Sequence, residues 1–100
     1  MRLEFQLSND EPLKRVILNW TATRFTGLNN TDKTVYVRRG NTDTPGESVG
    51  TYDYAIPPAA GEKTGDLVFP TRADQFCFLL KTPITDPSQI VTIIIQDDAN

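Results

Sequence analysis

Seven short runs of alternating or β-branched residues, separated by stretches of Gly, Pro, Asn, Asp and Thr, leave this chain no room for an amphipathic helix. No window carries the apolar spacing that places one face of a helix on a core. Strand pairing is therefore the remaining route to a core. At 100 residues there is length for one domain.

The runs differ in what they say. Leu3-Glu4-Phe5-Gln6-Leu7 alternates, as a half-buried strand does, and is broken by Ser8-Asn9-Asp10-Glu11-Pro12. Over residues 16–25, Val16, Leu18, Trp20 and Ala22 share one face. Trp20 is expected as a core anchor, with an exposed platform for stacking a sugar as the alternative. Residues 34–39 set Val35 and Val37 against Tyr36 and Arg38 and stop at Gly40; residues 51–56 place Tyr52, Tyr54 and Ile56 together and close at Pro57-Pro58. A short run, Leu67-Val68-Phe69, ends at Pro70. The run 75–81 is apolar on both faces and so reads as central in a sheet. The last run, 89–96, holds four Ile and one Val. Left as an open edge it would invite aggregation, so it must be central or covered by another subunit. The flanking Asp97 and Asp98 read as gatekeepers. The expected fold is all-β: a single domain over 1–100, an antiparallel β-sandwich or small jelly roll of about seven strands. Function on a single subunit would sit in the loops 41–50 and 57–66.

The chemistry available is narrow. There is no histidine, so the commonest general base and zinc ligand is missing. A single cysteine, Cys77, lies between Phe76 and Phe78; it cannot form an internal disulfide and reads as an inert small hydrophobe. Asn41-x-Asp43-x-Pro45-Gly46 begins like a calcium-binding EF-hand loop, but Tyr52 stands where the closing Glu belongs. A looser calcium loop at Asp43 and Glu47 stays open. Asn19-Trp20-Thr21 and Asn29-Asn30-Thr31 fit the N-glycosylation pattern, and chance is the better reading of both. No catalytic, cofactor-binding or metal-binding residues are expected, and no enzyme. Net charge is −3, which speaks against a nucleic-acid partner. The pairs Lys14-Arg15 and Arg38-Arg39 read as solvated strand ends, or as an interface for an acidic partner. No apolar run is long enough to span a membrane, and the first residues lack a signal-peptide core. Synthesis in a cytoplasm is the expectation.

The stretch Asn29-Asn30-Thr31-Asp32-Lys33-Thr34-Val35-Tyr36-Val37-Arg38-Arg39-Gly40, followed by Tyr52-Asp53-Tyr54-Ala55-Ile56-Pro57-Pro58 and then Phe76-Cys77-Phe78-Leu79-Leu80, resembles small all-β virion proteins of tailed bacteriophages. The resemblance covers residues 29–96. It departs from the pattern after the fourth strand, where Pro57-Pro58-Ala59-Ala60-Gly61 replaces Pro-Gly. It implies a capsid decoration or cement protein, or a minor head or tail component, located in the virion. It also implies a homo-oligomer in contact with other virion proteins. Interface candidates are Tyr36, Tyr52 and Tyr54, since Tyr combines apolar area with a polar tip, together with Ile93 and Ile95 of the final strand. The alternative is a carbohydrate- or receptor-binding β-sandwich, with saccharide as the partner.

Overall fold

A computed structural model describes residues 1–59 and 67–97. Among them, six strands form one antiparallel sheet and there is no helix. In chain order the strands are β1 (Arg2–Leu7), β2 (Leu13–Asn29), β3 (Val35–Arg39), β4 (Tyr54–Ile56), β5 (Leu67–Leu79) and β6 (Val91–Gln96). They lie side by side as β1-β6-β2-β5-β3-β4. The two glycines of the loop 60–66, Gly61 and Gly65, lie outside the described residues, as does Asp98.

Six strands stand where seven were expected, because the runs 67–69 and 75–81 belong to one strand, β5. Pro70 does not end it. β3 pairs only with the second half of β5, from Phe76 to Leu79, so among the described residues no strand pairs with that side of the first half. A proline, lacking its N–H, is tolerated in a strand that is an edge there. β2 is likewise longer than its expected span of 16–25, and β4 is shorter than its expected span of 51–56.

The pairing of β2 with β5 slips twice. Ile17 faces Gln75 and Ala22 faces Ala73, so residues 18–21 stand opposite Asp74 alone; Arg24 then faces Pro70. Such bulges bend a strand and increase its twist. They also switch which residues face in. Before the second slip Val16 and Ala22 are buried and Ile17 is exposed; beyond it Phe25, Gly27 and Asn29 are buried.

The bend brings together strands that are not neighbours in the sheet. Phe5 of β1 meets Phe78 of β5 edge-on at 5.2 Å. Phe25 of β2 meets Tyr54 of β4 at 5.1 Å and stacks on Phe69 at 4.9 Å. Where β2 passes over β4 the fit is tight: a Cβ on Gly27 would lie 3.0 Å from two side-chain carbons of Ile56, which would have to shift. Phe25, Phe76, Phe78, Ile93 and Ile95 are fully enclosed in the core between these strands. Burying each such side chain stabilises the fold by roughly 1.5–3 kcal/mol.

The Ile-rich strand β6 sits between β1 and β2, which is the central placement its composition demands. Its alternation is regular: Val91, Ile93 and Ile95 face in, and Thr92, Ile94 and Gln96 face out half-buried.

Candidate functional site

β3 alternates Val35 and Val37 inward with Tyr36 outward. Just before β4, the Asp53 N–H donates to the Val37 carbonyl at 2.8 Å, and the Asp53 carboxylate accepts the Arg39 N–H at 2.7 Å. This clamp lays the chain beside β3 and brings the Tyr52 ring to 5.1 Å from Tyr36, tilted by 57°. Next to Tyr36 is a shallow cleft of about 230 Å3, lined also by Asp32, Lys33, Thr34, Glu47 and Thr82. The side chain and N–H of Thr85 hydrogen-bond the Asp32 carboxylate and hold it below the ordinary carboxylate range; nearby Lys33 acts in the same direction. The wall of the cleft is thus one aromatic face beside fixed carboxylate, ammonium and hydroxyl groups. Such a surface can hydrogen-bond hydroxyls and stack an apolar ring face.

The other expected contact residues lie elsewhere. Tyr54 is half-buried against Phe25 and Phe69, and its hydroxyl donates to the Pro70 carbonyl at 3.1 Å. Ile93 and Ile95 are fully buried in the chain's own core, so what β6 presents outward is Thr92, Ile94 and Gln96. The Tyr36–Tyr52 pair is the part of the candidate set that the fold brings together at the surface. Trp20 is half-buried and packs against the core cluster.

Cys77 points away from the core, yet it is fully buried. Its strand neighbours are Arg15 and Arg38. Arg15 reaches over to the Thr42 carbonyl at 3.2 Å and the Thr44 hydroxyl at 2.9 Å, tying down the loop after Gly40. Burial pushes the thiol up, Asp43 adds to the rise, and Arg15 opposes it. A covered, protonated thiol is a poor nucleophile. In the same loop the Asn41 side chain accepts the Asp43 N–H at 2.9 Å. Asp43 and Glu47 form no metal-ligand cluster of three or more, and no other such group occurs among the described residues.

The polar cluster at the end of β2 was not among the expected sites. Asn29 and Thr31 are buried. The Asn29 amide donates to the carbonyls of Lys33 (2.8 Å) and Ile56 (3.2 Å), and its oxygen accepts the N–H (3.1 Å) and hydroxyl (2.7 Å) of Thr31. Asn29 therefore welds the β2–β3 turn to the end of β4. Its amide is spent inside the fold, which explains the glycosylation-like triplet as a turn. An Asn bonding to the backbone two residues on is the signal that was present in Asn29-Asn30-Thr31.

No protein-family model, no curated protein and no solved structure matches the chain.

Proposed function

We propose that this chain is a non-enzymatic structural protein of a viral particle, a capsid decoration or cement protein or another minor virion component. In this reading the bent sheet works as a β-sandwich module that assembles with symmetric neighbours. The observation that carries the reading is how firmly the loops are held. Asn9 exchanges two hydrogen bonds with Ile84, in the manner of a strand residue. Asp32 fixes Thr85, Asp86 fixes Ser88, Asp53 fixes Arg39 and Arg15 fixes the loop after β3. Asp86, like Asp32, is held below the ordinary carboxylate range, here by the Ser88 hydroxyl and N–H. Loop carboxylates committed to neighbouring backbone make a rigid body, suited to packing on a lattice.

This reading is tested by co-sedimentation with tailed-phage heads that lack their minor proteins. Stoichiometric binding is the expected result, and no affinity for heads or tail parts contradicts it. A second reading, a saccharide-binding module, draws on the cleft beside Tyr36. There the ring resonances of Tyr36 and Tyr52 would shift on titration with a saccharide panel; unmoved resonances remove that reading.

A further inference from the structure

We infer that β1 is the contact through which two copies of this chain join, pairing antiparallel with its own counterpart about a two-fold axis. The inference rests on the assembly reading above and names its partner and surface.

Among the described residues β1 ends the sheet: it pairs with β6 on one side and has no strand on the other. The Asp97 N–H donates to the Met1 carbonyl at 3.4 Å. In an antiparallel ladder the bonding direction alternates residue by residue. The odd residues of β1 therefore bond to β6, while the N–H and C=O groups of Arg2, Glu4 and Gln6 point off the free edge. Sheet edges are normally protected by charged side chains, lysine above all, by proline, by a bulge or by extreme shortness; the two charges of β1, Arg2 and Glu4, are of opposite sign and pair with each other. The opposite edge strand, β4, has only three residues. β1 has six, regularly paired with β6, and contains neither proline nor lysine. It is also held in place before any partner arrives, because the terminal ammonium sits 3.0 Å from the Asp97 carboxylate.

Charge selects a second copy and a register. Arg2 and Glu4 lie on the outer face, paired with each other at 2.7 Å. An exposed pair of this kind contributes little in water, so exchanging it for an intermolecular one is nearly neutral. Five registers keep the outward backbone groups opposite one another, and the one centred on Gln6 brings no pair of opposite charges together. Centring the two-fold on Arg2 or on Glu4 sets like charges face to face, which is destabilising. Centring it on Phe5 pairs Glu4 with the neutral Gln6. Centring it on Leu3 places Arg2 opposite Glu4 of the second copy, twice over. That register also brings the half-buried Leu3 of each copy together over the core they already cover. The contact is short, so association is at the weak end of protein interfaces and depends on concentration.

The test is a charge exchange read by sedimentation velocity at high protein concentration. Arg2→Glu alone and Glu4→Arg alone should each be monomeric, because each sets like charges across the axis. Mixing the two variants should restore a dimer, and the double variant R2E/E4R should dimerise as the wild type does. Far-UV circular dichroism confirms that each variant keeps its sheet. Dimers unaffected by either single variant, or monomers in the mixture and in the double variant, overturn the inference. In the former case the assembly reading survives through another surface; wild type that is monomeric and also fails to bind phage heads removes both.

Discussion

Replacing Asn29 by Ala is the sharpest probe of what holds this sheet closed. The substitution deletes a side chain that serves four partners: the Thr31 N–H and hydroxyl, and the carbonyls of Lys33 and Ile56. Two of these are easily reassigned. The Thr31 hydroxyl already reaches the Lys33 carbonyl at 3.3 Å, and half-exposed Lys33 can be hydrated. That leaves the Thr31 N–H without a partner on a fully buried residue, while the Ile56 carbonyl keeps the Val35 N–H of the β3–β4 ladder. The orphaned N–H costs about 1–3 kcal/mol, so about 2 kcal/mol is expected. For a domain of this size that lowers Tm by roughly 8–16 °C, a sizeable share of a total stability of about 5–15 kcal/mol. Urea unfolding followed by Trp20 emission measures it, and the midpoint should fall with the slope unchanged. A loss below about 1 kcal/mol would show that the buried Thr31 N–H does not depend on Asn29 and has found another partner. Asn29→Asp should do at least as much damage at neutral pH, because it turns a carboxylate oxygen toward two carbonyls.

The strand β6 supplies a paired test: Ile93→Asp puts an unpaired charge in the core and should leave the protein unfolded or insoluble, whereas Ile94→Asp on the outer face should cost only roughly 1–2 kcal/mol by thermal melting. Gly27→Ala drives a methyl against Ile56 and should cost about 1–3 kcal/mol, recovered in part by the double variant that also trims Ile56 to Val. Asp32 has a folded pKa depressed below 3.8 by its hydrogen bonds to Thr85. Its contribution is therefore present above the unfolded value and is lost as pH falls through the folded one. Asp32→Asn should flatten the acid end of the stability–pH curve, while an unchanged acid slope would show that the Thr85 latch is not formed in solution.

Much of the sheet was legible because alternation is a local signal. Leu3, Phe5 and Leu7, then Val35 and Val37, face inward as their spacing requires. The central place of β6 followed from an argument about edges, not from any pairing visible in the sequence. What local spacing could not show were the two slips between β2 and β5. They shift the inward set from Val16 and Ala22 to Phe25, Gly27 and Asn29, and let β5 run through Pro70. These depend on which strand lies opposite, a long-range property that propensity does not carry. The same limit applies to the candidate contacts. Tyr52 and Tyr54 share a face by alternation, yet Tyr54 is drawn into the Phe25–Phe69 cluster while Tyr52 pairs with Tyr36. The Asp53 clamp before β4 makes that difference, and only the folded chain reveals it.

The central claim, that this chain is built to assemble, is tested most directly by its molar mass in solution, measured by light scattering from dilute to concentrated protein. The mass should rise from that of the 11.2 kDa chain to a discrete symmetric multiple of it. A mass fixed at 11.2 kDa across the whole range would contradict it.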